Sequence, residues 1–250
     1  TNVHIVRKNY IKRLIGLPEE KLQVANGDIY INGKIVRKPE KVQDALWAPV
    51  FDSNYPAKQE IVENWEADDE YWKISKEQLH LNIPDQIKQK SYITFKREIT
   101  DYSVYNSEII DAISADVMLA FDVTTTGKSG GISIMLEEDE ETYEVFIRSR
   151  GVKEEAHLKI SGSVVDRNAE AFINPQETSR IEFSTADNEI ILKLNDSVIF
   201  SHTYDTDLSS LEGYTKFSSL KLGGINTDAI FKNITISRDV FYTESGKWGT

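Results

Sequence analysis

The chain has 250 residues, 40% of them hydrophobic and 28% charged, which is enough length and apolar content for a real core. Its net charge of −12 argues against nucleic acid or anionic lipid as partner, and its lack of cysteine excludes disulfides, thiolate zinc sites and a cysteine nucleophile. No stretch has the apolar length of a membrane span, and no signal peptide opens the sequence.

Basic residues concentrate near the N-terminus (Arg7, Lys8, Lys12, Arg13, Lys34, Arg37, Lys38, Lys41), while the rest of the chain carries most of the acid, an asymmetry that argues for two parts. Over residues 10–18 the alternation predicts a strand with Tyr10, Lys12 and Leu14 on one face and Ile11, Arg13 and Ile15 on the other. Gly16 and Pro18 end it. Asn26-Gly27 and Asn32-Gly33 are tight-hairpin dipeptides, because both central residues of such a turn need positive φ. The short runs at 28–31 and 34–36 then complete a small β-meander.

The segment Tyr-Ile-Lys-Arg-x-Ile-Gly-Leu-Pro over 10–18, followed by Gly-Asp-Ile-Tyr-Ile-Asn-Gly-Lys over 27–34, resembles the lysine-bearing part of bacterial type I signal peptidases. Those are membrane-anchored serine proteases with a Ser/Lys dyad on an all-β catalytic domain. The resemblance implies that Lys12 is the general base, with Arg13, Gly16 and Pro18 as its motif neighbours. It also implies secretory signal peptides as substrates, no cofactor and no metal, and a parent at the extracytoplasmic face of the cell membrane. The family usually follows its proline with Gly-Asp, whereas Glu19-Glu20 stand here.

The chemistry demands such a lysine. An amine accepts a proton from serine near neutral pH only when uncharged, which takes desolvation or a nearby positive charge. Tyr10 and Leu14 would supply the first and Arg13 some of the second. The strand pattern alone fits an ordinary lysine with its stem over apolar surface, and the whole motif favours the catalytic ancestry. The family's Ser-x-Met-x-Pro-like nucleophile motif is missing, since Met118 and Met135 are the only methionines and neither lies in that context. Its later Gly-Asp-Asn-Ser segment is missing too, and His4, His80, His157 and His202 are scattered. The expectation is an excised piece of a longer protease-like protein, soluble and inert by itself.

Residues 37–47 suit a short helix, and Ala48-Pro49 and Tyr55-Pro56 interrupt regular structure after it. Residues 60–69 are acidic and read as exposed. From about residue 70 the texture is β: strands are predicted at 71–74, 78–81, 91–100, 115–123, 131–137, 142–148, 156–161, 180–185, 189–194, 197–204, 216–222 and 229–237. Turn signals separate them at 126–131, 138–139, 186–188, 195–196 and 223–224. Many alternating strands with hairpin turns predict an all-β fold, an antiparallel jelly-roll-like β-sandwich beside the small meander. The pattern running through 116–122, 131–135, 143–148 and 189–196 to Phe231-Lys-Asn-Ile-Thr-Ile is similar to concanavalin A-like lectin/glucanase (LamG-like) sandwiches. The expected domains are a signal-peptidase-like segment at 1–40, a connector at 41–64, the sandwich at 65–243 and a return segment at 244–250.

Within the sandwich, Trp65, Trp72, Tyr102 and Tyr105, with Asp101 and Asn106, are available for a sugar platform, though aromatics in β proteins usually pack. The run Glu137–Glu141 reads as a solvated, edge-protecting turn rather than a calcium site. Glu182, Asp187 and Glu189 are among many acids that could form a glycosidase pair, and sequence selects none. The alternative to the protease reading is therefore a carbohydrate- or protein-binding module.

Overall fold

In the computed structural model the described residues are 16–55, 63–105, 108–114, 116–126, 130–138, 141–205 and 218–242. Strands β1 (Leu22–Ala25), β2 (Asp28–Ile31) and β3 (Lys34–Ile35) form the expected antiparallel meander. Its turns have the predicted form: Asn26 and Gly27 lie at φ 50° and 92°, Asn32 and Gly33 at 53° and 78°. Two positive values in a two-residue loop are the signature of a type I′ turn, whose twist matches that of the strands.

A short helix, α1 (Glu40–Leu46), and strand β4 (Ala48–Asp52) come next. The stretch 41–64, expected to be a connector, thus contributes to the sheet, because β4 pairs with the strand at Asp228–Arg238. Pro49 is tolerated because the register shifts beside it, between Ile236 and Ser237, where a missing N–H costs the ladder little.

The body is a two-sheet antiparallel sandwich. One sheet runs β18 (Ser197–Thr203), β17 (Glu189–Leu194), β16 (Thr178–Ala186), β11 (Val117–Thr125), β20 (Asp228–Arg238), β7 (Leu79–Asn82), β6 (Trp72–Ile74), with β4 also beside β20. The other runs β15 (Ser163–Asn168), β14 (Ala156–Ile160), β13 (Glu141–Arg148), β12 (Gly131–Glu138), β19 (Ser218–Ile225), β8 (Ser91–Phe95), β5 (Trp65–Ala67). A separate hairpin joins β9 (Thr100–Tyr105) to β10 (Glu108–Ile113). Period-2 alternation sends Leu119, Phe121, Ile181, Phe183, Ile190 and Leu192 inward from the first sheet. Ile132, Ile134, Val145 and Leu222 meet them from the second, all fully buried in one core. The predicted jelly-roll-like sandwich with its meander is what the chain forms.

The acidic turn has a different role from the one expected. Glu137 and Glu141 flank a hairpin between β12 and β13, both interior strands, so they protect no edge. Glu137 pairs with Lys221 at 2.7 Å and Glu141 accepts from the Tyr143 hydroxyl at 2.7 Å. Asp139 and Glu140 lie outside the described residues. The sheet edges are blunted by backbone instead: β18 and β15 carry bulges, opposite Leu192/Lys193 and Leu158/Lys159. The opposite edges, β5 and β6, are three residues long.

Candidate functional site

Two features adjoin where the meander meets the sandwich. The first is a buried charge cluster around Lys38, which stands between β3 and α1. Its Nζ lies 2.5 Å from Asp187 Oδ1 and 2.8 Å from Asp239 Oδ2, and its backbone N–H donates to Asp187 Oδ2 at 2.9 Å. The Lys38 side chain is 12% exposed, those of Asp187 and Asp239 5% and 1%. Burial by itself would lower the Lys38 pKa, but hydrogen bonds and charge attraction from Asp187 and Asp239 outweigh it and hold the ammonium well above its ordinary 10.5. Carboxylate oxygens of Asp28, Asp116 and Asp187 also lie within 4.8 Å of one another. The geometry has a local cause: Asp187 and Asn188 occupy the two left-handed positions of the β16–β17 turn, at φ 49° and 57°, which aims the Asp187 carboxylate past the sheet end. Close by, the chain leaving β20 returns to the meander, where Tyr242 N–H donates to the Gly27 carbonyl at 3.0 Å.

The second feature is a groove of about 320 Å³ between α1 and the outer face of the eight-stranded sheet. Because inward residues alternate with outward ones, cross-strand register builds its floor: Met118 opposes Ser184, Ser184 opposes Ile191, and Ile191 opposes Ser201. Trp47 and Val198 extend the apolar surface. Charges ring it, with Lys193 Nζ 2.8 Å from Glu40 of α1 and the Ser201 hydroxyl donating to Glu189 at 2.8 Å.

Lys12 and Arg13, the expected base and its neighbour, lie outside the described residues, as does the return segment at 244–250. Gly16 and Pro18 are in place at a bend and a turn. The Glu20 N–H donates to the Leu17 carbonyl at 3.2 Å, and Glu19 sits at φ 70°. Proline followed by positive φ marks a type II turn, whose third position favours glycine. Glu19 therefore holds a strained conformation where the resembled family has glycine. Glu19→Gly removes about 1–2 kcal/mol of left-handed strain against roughly 0.5–1 kcal/mol of added unfolded-state entropy. A net gain of about 0.5–1 kcal/mol is expected, read as a raised urea midpoint.

Of the aromatics available for a sugar platform, Trp65 and Trp72 pack in the core, as aromatics in β proteins usually do. Trp65 packs edge-on to Phe95 at 5.3 Å and Trp72 stacks on Phe231 at 5.7 Å, with its Nε1–H donating to Ser91 Oγ at 2.9 Å. Both are buried because they face the opposite sheet. The side chains of Asp101, Tyr102 and Tyr105, and all of Asn106, lie outside the described residues. Glu182 and Glu189 share the groove but make no close pair by register: Glu189 opposes Ala186, four residues from Glu182, roughly 13 Å along the strand. Asp187 is committed to Lys38. The Lys38 cluster is invisible in the sequence because Lys38 and Asp187 are 149 residues apart, and the only local signal is the Asp-Asn turn.

No curated protein matches the chain. Residues 4–94 match the family described as Signal peptidase, peptidase S26. Among solved structures, a Bacillus subtilis protein of unknown function with a galectin-like fold superposes with a TM-score of 0.56 at 10% identity, covering 78% of this chain and 98% of that one. The potassium-bound carbohydrate recognition domain of Emp46p gives 0.50 at 13% identity, over 78% and 98%. The Crh5 transglycosylase in complex with NAG gives 0.50 at 10%, over 78% and 86%. At these identities the likeness is one of fold. The N-terminal third is thus similar to signal peptidases, and the body is a lectin-like β-sandwich.

Proposed function

We propose that this chain is the lysine-bearing part of a type I signal peptidase-like serine endopeptidase, with the sandwich inserted into its catalytic domain after the meander. The observation that carries the reading is the pairing of Tyr242 with Gly27, which brings the chain back from the sandwich to the meander it left at Lys38. An insertion is tolerated where its two ends lie together. In the intact enzyme Lys12 would take the proton of a serine hydroxyl as its oxygen attacks the scissile carbonyl of a secretory preprotein. It would then return that proton to the leaving amine, and water would resolve the acyl-enzyme. The nucleophile is not supplied by any Ser-x-Met-x-Pro-like motif here, so this chain alone is inert. Among the described residues no helix is long and apolar enough to cross a membrane, and the proposed site of action is the extracytoplasmic membrane face.

The test is cleavage of a signal-peptide substrate by the full-length protein and by its Lys12→Ala form, both checked for folding by circular dichroism. A loss of about 10²–10⁴-fold, the usual weight of a general base, is expected. Cleavage indifferent to the substitution, or absent from both proteins, would sink Lys12 as the base. The second reading, a carbohydrate-recognising module, draws on the fold shared with the Emp46p recognition domain. Glycan-array binding by the isolated chain, with an inactive parent, would favour it.

A further inference from the structure

We infer that the groove beneath α1 binds a short extended peptide in which a basic residue is flanked by apolar ones. The space is not closed by packing. None of the residues of α1 is buried, and a helix of seven residues has little stability of its own. It is held over the sheet by the Glu40–Lys193 ion pair and by the chain on either side, and it roofs about 320 Å³, room for two or three side chains. The apolar floor of Met118, Ile191, Trp47 and Val198 includes a valine 55% exposed.

The rim gives the sign of the ligand. Five carboxylates face three cations around the groove, and the cations are committed: Lys38 to Asp187 and Asp239, Lys193 to Glu40, and Arg37 to the Asn188 carbonyl at 3.3 Å. Glu182 stands opposite Lys193 in the β16–β17 ladder and 3.9 Å from Arg180 Nε, so Lys193 is shared among Glu40, Asp44 and Glu182, and Glu189 takes a serine hydroxyl. With Asp44 they leave an anionic rim, complementary to a lysine or arginine side chain. Gln43 supplies the remaining requirement. Its Nε2 and Oε1 are both shielded from solvent without a hydrogen-bond partner among the described residues. Turned into the groove by a change of side-chain rotamer, an amide that offers a donor and an acceptor together matches the carbonyl and N–H of a peptide backbone. A neutral glycan would use the amide but gain nothing from the excess negative charge.

The test is titration calorimetry of the 250-residue protein with a blocked hexapeptide, Leu-Arg-Leu-Lys-Leu-Ala, beside the same peptide carrying Glu at both basic positions and beside chitotriose. The basic peptide is expected to bind, more weakly as salt rises, and the acidic one not to bind. The Asp44→Asn/Glu182→Gln double variant should weaken binding roughly tenfold and Gln43→Ala several-fold, with thermal unfolding of both variants unchanged. No binding of the basic peptide, equal binding of the acidic one, or affinity untouched by both variants overturns the inference. Gln43-dependent binding of chitotriose in place of the peptide also overturns it and assigns the groove to glycans. Neither the serine nor Lys12 enters this experiment, so its failure is separate from failure of the protease reading.

Discussion

Lys38→Met is expected to lower the unfolding free energy by about 3–5 kcal/mol, the usual cost of removing one partner from a buried ion pair. The methionine fills similar volume, so the loss isolates charge: Asp187 and Asp239 stay buried without the ammonium that lies 2.5 and 2.8 Å from them. At about 2–4 °C per kcal/mol for a domain of this size, the melting temperature should fall by roughly 6–20 °C in scanning calorimetry. Repeating the substitution in an Asp187→Asn/Asp239→Asn background should cost far less, because no stranded carboxylate remains. A full-sized loss in that background would mean that the lysine stem, not its charge, matters. The direction of the pKa shift sets the pH dependence. Folding raises the Lys38 pKa above 10.5, so its stabilisation is complete below pH 10.5 and is lost as pH rises beyond that value. Wild type should therefore lose stability above pH 10.5 with a component missing from Lys38→Met.

Phe231→Ala should cost about 3–5 kcal/mol, from lost transfer energy plus the cavity left behind. Phe231 is fully buried on β20 and touches rings from two other strands, Trp72 at 5.7 Å and Phe121 at 5.5 Å. The paired strands to either side, β11 and β7, leave the backbone little room to collapse into the void. Val198→Ala, at an exposed edge position, should stay within about 0.5 kcal/mol in the same urea titration. Similar losses at both sites would mean that the core around β20 relaxes freely, contrary to its packing.

The range of each interaction decides whether it is legible in the sequence. Turns are decided by adjacent residues, so Asn26-Gly27, Asn32-Gly33, Asp187-Asn188 and Asn195-Asp196 are legible, and all eight residues have positive φ. Strands such as β11 and β16 are legible because alternation is also local. β5 is three residues in an acidic stretch, β4 contains Pro49, and the edge strand β15 is mostly exposed, so these carry little periodic signal. The groove and the charge cluster join residues brought together only by the sandwich closing. In the sequence Lys38 is one basic residue among several, and Asp28, Asp116 and Asp239 are three of 41 acids.

The strand order has a consequence for synthesis. β19 lies between β12 and β8, and β20 lies between β11 and the pair β7 and β4, so the last two strands among the described residues are interior strands, one in each sheet. A nascent chain that has passed β18 therefore holds two unfinished half-sandwiches, whose facing strand edges are filled in one sheet when β19 is complete at residue 225 and in the other when β20 is complete at residue 238. From the end of β8 to the end of β20 this wait lasts roughly seven to thirty seconds at about 5–20 residues per second. The contact between Tyr242 and Gly27 forms later still, so the N-terminal meander must stay available while the whole sandwich is made. Assembly is sealed from the C-terminal end, and a chain that stops before β19 has no way to join its halves.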